Sequence, residues 1–265
     1  MKNIAFIGAG NMCRAIANGL LMSGELDCEH IKVYDKDEAK ALAFKTVGVY
    51  KCESAKDALK FADYLFLSVK PQNMDEVLAQ LAGENFENKT IVTIAAGITT
   101  KHIESFLAGA AVIRVMPNTP MLIGEGTAAI TKNKNVKDED FKAVCKMFEK
   151  LGTVCTMSED KLNPVISLSG SSPAYVFLFI KIMCDWAKEK GFSEKEAKEL
   201  VCSAFSGSAD LLRSSEKSPE ELIRDVSSPG GTTLEALAQL HKHGIETVIK
   251  DALDACEKRA RELSK

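Results

Sequence analysis

The sequence predicts an α/β protein in which a doubly wound, parallel sheet is followed by an all-α domain. Short apolar strands alternate with helical stretches over residues 1–160, which is typical of a parallel sheet with helices on both faces. Strand signals then stop, and residues 161–265 have helical patterns only. A chain of 265 residues is long enough for two modest domains, each with its own core.

The first element is a strand, Ile4–Ile7, which runs into a glycine turn and then a helix. Gly8 permits a tight turn, and Gly10, with Asn11 and Met12 after it, leaves room for a pyrophosphate at the helix N-terminus. Cys13 stands at the third position of this fingerprint, where a small residue allows close packing of helix and strand. This context predicts a dinucleotide site.

The second strand, residues 31–34, ends at Asp35. An acid at this point commonly accepts hydrogen bonds from the adenosine ribose hydroxyls, which favours NADH. Lys36 follows directly and could instead bind a 2′-phosphate, and Asp35 could simply cap a helix. The choice between NADPH and NADH therefore stays open at this point.

Five later strands extend the sheet, and ligands in such sheets lie beyond the carboxyl ends of the strands. Lys70 could also be an ordinary surface charge. The last two strands are predicted near residues 126–131 and 152–156, with a helix over 136–150 between them. The strand-end residues expected to bind the cofactor are Ser68, Val69, Lys70, Pro71, Ala95, Ala96, Gly97, Met116, Pro117 and Asn118.

The second half contains a helix over residues 174–180 that is apolar on every side. Such a helix must be covered all round, and about a hundred helical residues make a thin domain. A partner subunit is the natural cover, which predicts a homodimer; the first domain is the alternative cover. Serines followed by an acid three residues later, at Ser193 and Ser218, predict capped helix starts.

The segment Ser228–Thr233 reads Ser-Pro-Gly-Gly-Thr-Thr and opens another helix. Its glycines allow close approach of a ligand, and unpaired N–H groups at a helix N-terminus bind anions. We expect Thr232 to be the N-cap, in a capping box with Glu235. The segment predicts a carboxylate site, although an ordinary Pro-Gly turn before a helix is the alternative.

Composition excludes several other classes. A net charge of −3 offers no basic field for nucleic acid or for an anionic membrane. No apolar run looks long enough to span a bilayer, and the N-terminus is typical of a strand and turn and not of a signal peptide. Eight scattered cysteines without a C-x-x-C pair indicate a reducing cytoplasm, with no metal site, and none of the four histidines lies in a catalytic motif.

Five motifs occur together and in a fixed order, over nearly the whole chain. Their combination resembles the Δ1-pyrroline-5-carboxylate reductase family, the last enzyme of proline synthesis. Cys13 departs from the Gly or Ala that is usual there. The motifs are Gly8-x-Gly10-Asn11-Met12, Val69-Lys70-Pro71, Met116-Pro117-Asn118-Thr119-Pro120, Ser169-Gly170-Ser171-Ser172-Pro173-Ala174-Tyr175 and Ser228-Pro229-Gly230-Gly231-Thr232-Thr233.

The resemblance implies a Rossmann domain followed by a helical dimerisation domain, with dimers that often assemble into decamers. It implies NADPH or NADH as the hydride source. It places the substrate carboxylate at Ser228, Gly230 and Gly231, beside Thr232, and the ring nitrogen at Thr233, with Glu216 near the substrate. Two rivals stay open. One is a β-hydroxyacid-type dehydrogenase, which would need a lysine acid/base on a helix of the second domain; the other is a non-catalytic, dinucleotide-sensing dimer.

Overall fold

The computed structural model describes residues 2–24 and 26–263. It divides into two compact units, which are described separately below. The first comprises the chain up to Pro173 together with the return of the chain from Ala255 onward, and the second comprises Ala174–Asp254.

Within the described residues, eight strands form one sheet in the order β3-β2-β1-β4-β5-β6-β7-β8. The first six pair in parallel, in the order 3-2-1-4-5-6 that is typical of dinucleotide-binding folds. The predicted α/β, Rossmann-type class is therefore confirmed. The strands are β1 (Ile4–Ile7), β2 (Ile31–Tyr34), β3 (Tyr50–Lys51), β4 (Tyr64–Leu67), β5 (Thr90–Thr93), β6 (Ala111–Pro117), β7 (Gly126–Lys132) and β8 (Gly152–Thr156).

Helices cover both faces of this sheet, and two separate apolar clusters lie between the sheet and the helices. Residues of β1, β4 and β5 are buried throughout, which agrees with the apolar runs of β1 and β4 and with the β-branched residues of β5. The helices between the strands are α1 (Asn11–Met22), α2 (Glu38–Leu42), α3 (Ala55–Phe61), α4 (Met74–Leu81), α5 (Thr100–Phe106) and α6 (Asp138–Glu149).

Two features of the sheet differ from the prediction. β7 runs antiparallel to β6, with Met116 opposite Ala129, so the sheet is not wholly parallel. The 3₁₀ segment Thr119–Ile123 joins these two strands, and it is too short for the crossover that a parallel pair requires. The edge strand β3 was not predicted, since two residues carry no periodicity.

After β8 the chain is helical, as predicted. Ser193 and Ser218 form the expected capping boxes with Glu196 and Glu221. A π-helical turn, Ile166–Gly170, precedes the longest apolar helix. The helices are α7 (Leu162–Val165), α8 (Ser172–Glu189), α9 (Glu194–Ser214), α10 (Pro219–Asp225), α11 (Thr232–Lys242) and α12 (Ile245–Glu262).

Helix α8 leaves most of its large apolar side chains uncovered in the single chain. Phe177 is 63% exposed and Trp186 is 59% exposed. The helical stretch Glu159–Glu189 is also long and apolar enough, by length and composition, to cross a membrane. The expectation that no run has this length was wrong, because the serines and the one glycine of this stretch are uncharged and barely lower its mean hydropathy.

The eight cysteines all lie in the residues that the structure describes, and none of them forms a disulfide. In residues 2–24 and 26–263, no group of three or more His, Cys, Asp or Glu side chains is placed to hold a metal ion.

Candidate active site

The glycine turn after β1 is shaped by contact with the end of β4. Gly8 has φ +105°, and a Cβ built there would lie 2.7 Å from the carbonyl carbon and oxygen of Ser68. The Gly8 N–H donates to the Tyr34 carbonyl at 2.7 Å, and the Ser68 hydroxyl donates to the Gly8 carbonyl at 2.7 Å. Only glycine fits this position.

Gly10 is the N-cap of α1, with no side-chain cap on the helix. A Cβ built on Gly10 would meet no atom within 4 Å, so the space beside the N–H groups of Asn11 and Met12 is open. Cys13 is fully buried, and burial raises the pKa of its thiol well above the usual range. The thiol is therefore uncharged and packs as a small core side chain. A cradle without Cβ atoms beside an uncapped helix N-terminus fits a dinucleotide pyrophosphate.

Asp35, at the end of β2, is held rigidly. Its Oδ2 accepts from the Ala9 N–H at 2.7 Å, and its Oδ1 accepts from the Asp37 N–H at 2.9 Å. The carboxylate thus ties the glycine turn to the β2 end and fixes one negative charge beside it.

Gly8 and Gly10 of the glycine turn, Asp35 after β2 and Ser68 after β4 line one cavity of about 370 Å³, which is within the range of small-molecule sites. It lies where the strand order reverses between β1 and β4, as expected for a doubly wound sheet. Of the predicted residues, it brings together Gly8, Gly10, Asp35, Lys36, Ser68, Val69 and Lys70.

Several cavity residues were missed by the sequence analysis. The far wall is the 3₁₀ turn Pro71–Asn73 and helix α4, which begin directly after β4. Pro71 just inside a helix start was the available signal, because it places that helix at the carboxyl edge. The missed lining residues are Ile7, Tyr34, Asp37, Lys40, Gln72, Asn73, Glu76, Val77 and Gln80.

Three predicted residues adjoin this cavity without lining it: Asn11 and Met12 begin α1, and Pro71 begins the 3₁₀ turn after β4. The other predicted cofactor residues follow β5 and end β6, on the same sheet edge but also outside this cavity's lining. Ala95 is buried, and Gly97 has φ +79°. From β2 to β6 is four strand spacings, about 19 Å, so the predicted residues form a row along the edge. They are Ala95, Ala96, Gly97, Met116, Pro117 and Asn118.

Asn118 has a structural task that the sequence did not reveal. Its side-chain amide donates to the Ser169 carbonyl at 3.1 Å, and its Oδ1 accepts from the Thr127 N–H at 2.8 Å. Beside it, a Cβ on Gly170 would lie 2.6 Å from the terminal methyl of Met116. The end of β6 is therefore fastened to the π-helical turn.

Lower on β6, Arg114 is only 2% exposed. Its guanidinium donates to Asn163 at 2.7 Å and lies 3.5 Å from Glu159, whose carboxylate also accepts from the backbone and hydroxyl of Thr100. Burial lowers the pKa of Arg114, yet the nearby carboxylate keeps its positive charge compensated.

In the second unit, Ser228-Pro229-Gly230-Gly231 forms a tight turn. The Gly231 N–H donates to the Ser228 carbonyl at 2.9 Å, and Gly230 has φ +69° after the proline, which is typical of a type II turn. Gly231 is the N-cap of α11 and provides no side-chain cap. The Pro-Gly turn and the open helix N-terminus therefore coexist.

The expected capping box of Thr232 was wrong. Thr232 is the first residue of α11, because the turn leaves Gly231 extended, with φ −80° and ψ 162°, in the N-cap position. Thr233 is half-buried in the first turn of this helix, and Glu216 is exposed in the bend between α9 and α10.

Comparison with known proteins identifies the family. Residues 159–263 match the model described as pyrroline-5-carboxylate reductase dimerisation, and residues 3–97 match NADP oxidoreductase coenzyme F420-dependent. The chain is 36% identical to the pyrroline-5-carboxylate reductase of Escherichia coli, over 100% of this chain and 99% of that protein. The chain belongs to the pyrroline-5-carboxylate reductase family.

Solved structures of this family have the same fold. A pyrroline-5-carboxylate reductase from Coxiella burnetii matches with TM-score 0.87 and 33% identity, over 100% of this chain and 99% of that one. The Plasmodium falciparum pyrroline carboxylate reductase, a structure with NADP bound, matches with TM-score 0.93 and 26% identity, over 100% of this chain and 98% of that one. The resemblance inferred from the five motifs is confirmed.

Proposed function

We propose that this protein reduces 1-pyrroline-5-carboxylate to L-proline with NADPH or NADH, the last step of proline biosynthesis. The observation that carries the proposal is the match to the Escherichia coli pyrroline-5-carboxylate reductase along the whole chain. The open pyrophosphate cradle at Gly8 and Gly10 supports it.

The first unit would bind the dinucleotide. When bound, the reduced nicotinamide supplies the hydride. The N–H groups at Gly10, Asn11 and Met12 would hold the pyrophosphate, and Asp35 or Lys36 would contact the adenosine ribose. The strand-end residues would form the floor for the nicotinamide ring: Ser68, Val69, Lys70, Pro71, Ala95, Ala96, Gly97, Met116, Pro117 and Asn118.

The turn before α11 would bind the substrate. Ser228, Gly230 and Gly231 would hold its carboxylate at the uncapped helix N-terminus, where N–H groups and the helix dipole both favour an anion. Thr233 would hydrogen-bond the ring nitrogen, with Thr232 and Glu216 near the substrate. Holding the imine carbon against the hydride donor would supply most of the rate.

The reaction would need no strong general acid, since a protonated imine can take its proton from solution. Three of the four histidines are engaged elsewhere: His30 pairs with Asn3, His102 with Asp75 and His241 with Glu246. Lys181, the candidate acid/base of a β-hydroxyacid dehydrogenase, is exposed and pairs with Asp185 at 2.6 Å.

The division of labour would be a dinucleotide-binding domain over residues 1–160 and a dimerisation and substrate domain over 161–265. The working unit would be a homodimer that covers the apolar side chains of α8 and assembles further into decamers. Because the eight cysteines form no disulfide and the net charge is −3, we place it in the cytoplasm, without nucleic acid or membrane as a partner. Light scattering would test the assembly.

Steady-state assays of the nicotinamide absorbance test the activity: oxidation of the reduced nicotinamide with 1-pyrroline-5-carboxylate or a small β-oxo acid, and reduction of the oxidised nicotinamide with a small β-hydroxyacid. Turnover of the cyclic imine alone supports the proposal. Turnover of the hydroxyacids alone would reassign the enzyme, and cofactor binding without any turnover would indicate a sensor.

The substrate site has its own test at Gly230. Valine at φ +69° is strained, whereas asparagine tolerates this conformation, so Gly230→Val should distort the turn and Gly230→Asn should preserve it. We expect Gly230→Val to raise KM for the substrate so far that the rate no longer saturates, while dinucleotide binding persists. Unchanged KM in both variants would place the anion site elsewhere.

A further inference from the structure

The surroundings of Asp35 bear on which dinucleotide this chain uses, a question that rests on the proposed function. NADPH differs from NADH by a 2′-phosphate on the adenosine ribose, and a phosphate monoester carries about −1.5 to −2 charges at neutral pH. The sign and mobility of the charges beside that ribose therefore decide the preference.

Asp35 presents a negative charge that cannot move aside cheaply. Both of its oxygens accept backbone N–H bonds, from Ala9 at 2.7 Å and from Asp37 at 2.9 Å. Turning the side chain away would break both hydrogen bonds and leave the N–H groups of Ala9 and Asp37 unpaired. A 2′-phosphate at this strand end would therefore meet a fixed carboxylate, whereas a 2′-hydroxyl could donate to it.

Two of the three lysines that line this cavity, Lys36 and Lys40, are paired with carboxylates. Lys36 lies 3.7 Å from Glu76, and Lys40 lies 3.2 Å from Asp37. Both pairs are exposed and individually weak, so they reduce the attraction for a phosphate without abolishing it. The side-chain hydrogen bond from Lys40 also lowers the pKa of Asp37, which keeps that carboxylate ionised.

A second cavity, of about 250 Å³, shares Tyr34, Asp35 and Lys36 with the first and extends the acidic surroundings. Its one further lysine, Lys51, contacts two carboxylates, Glu38 at 2.6 Å and Glu53 at 3.4 Å. Among the residues that the structure describes, no arginine lines either cavity, although an arginine is the usual partner of a 2′-phosphate.

We propose that this chain selects NADH over NADPH, and that Asp35, fixed by the Ala9 and Asp37 amides, sets the choice. Lys36, the alternative partner for a 2′-phosphate, is outweighed because its charge is exposed and shared with Glu76.

Binding to the oligomeric protein without substrate tests this, with the fluorescence of each reduced dinucleotide as the readout. We expect NADH to bind at least about tenfold more tightly than NADPH at low salt, since charges about 4 Å apart near a protein surface interact strongly enough for that factor. The ratio should narrow as salt screens the repulsion.

Asp35→Asn should lower the ratio of the two dissociation constants by about tenfold, mainly by tightening NADPH. Asp138→Asn is the matched control: it removes one exposed charge at the start of α6, where Asp138 pairs with Lys132 of β7, and the ratio should not change. If Asp35→Asn does not fold, the double variant Glu38→Gln/Glu53→Gln decides. Freeing Lys51 should tighten NADPH by about threefold or more and leave NADH unchanged.

Equal or tighter binding of NADPH by the unmodified protein would overturn the inference and leave the proposed reductase intact. An unchanged ratio in Asp35→Asn would remove Asp35 as the determinant. Binding of neither dinucleotide would overturn the proposed function, and this inference with it.

Discussion

Replacing Gly8 and Gly10 separately by alanine should have different effects: the first variant should lose stability, and the second should lose dinucleotide affinity. Gly8→Ala places a Cβ 2.7 Å from the Ser68 carbonyl and 2.8 Å from the Val69 nitrogen, both backbone atoms that cannot rotate away. The residue would also keep φ +105°, outside the regions open to alanine. Backbone strain of about 1–3 kcal/mol and overpacking of about 1–3 kcal/mol sum to about 2–6 kcal/mol.

Gly10→Ala is the matched variant. Its Cβ meets no protein atom within 4 Å, and φ −76° is ordinary for alanine, so unfolding free energy should change by less than about 1 kcal/mol. The same methyl would occupy the space proposed for the pyrophosphate, so dinucleotide affinity should fall by at least about tenfold, since a misplaced charge contact costs over 1 kcal/mol.

Urea unfolding gives the stabilities, and fluorescence titration with reduced dinucleotide gives the affinities. A Gly8→Ala protein as stable as the parent would contradict the contact between the turn and β4. Normal dinucleotide affinity in Gly10→Ala would show that the pyrophosphate does not approach this helix.

Three further outcomes follow from named contacts. Thr233→Ala should lower kcat/KM in steady-state assays by a factor that corresponds to about 1–3 kcal/mol of lost transition-state stabilisation, the range for an unpaired buried polar group. Glu159→Gln should cost about 2 kcal/mol in urea unfolding, because Arg114 would be left as an uncompensated buried charge; the figure is below the usual range since Glu159 is partly exposed. Cys52 should resist alkylation at pH 8 while exposed Cys155 reacts, since burial raises the pKa of the Cys52 thiol to about 11.

Each outcome has a control. Thr232→Ala, one residue earlier on α11 and exposed, should retain more activity than Thr233→Ala. Asp138→Asn breaks a surface pair and should change stability by less than about 1 kcal/mol. Equal loss in the matched pairs, or equal labelling of the two cysteines, would contradict the assignment concerned.

Local signals in the sequence were enough for most of the first unit. The apolar runs gave the main strands, and the glycine turn between β1 and α1 lay where the pattern placed it, because strand, turn and helix are adjacent in the chain. The capping boxes at Ser193 and Ser218 were also predictable, since both partners lie within one helical turn.

The errors arise where the local structure depends on turn geometry or on contacts between residues far apart in the sequence, which short sequence patterns do not record. Thr232 lost the N-cap position because the preceding turn delivered Gly231 in extended geometry. The cavity wall formed by α4, and the hydrogen bond from the Ala9 N–H to Asp35, depend on how elements distant in sequence meet. Asn118 joins partners nine and fifty-one residues away, so no local pattern indicated its task.

The antiparallel return from β6 to β7 determines where the chain leaves the sheet. β8 runs with β7, so it finishes at the edge remote from the glycine turn, and the next segment reaches Arg114 through Glu159 and Asn163. From there the chain runs beside β6 as far as Ser169, whose carbonyl accepts a hydrogen bond from the Asn118 side chain. The segment that leads into α8 is thereby anchored at the carboxyl end of β6, so displacement of that strand end would act first on the residues just before α8.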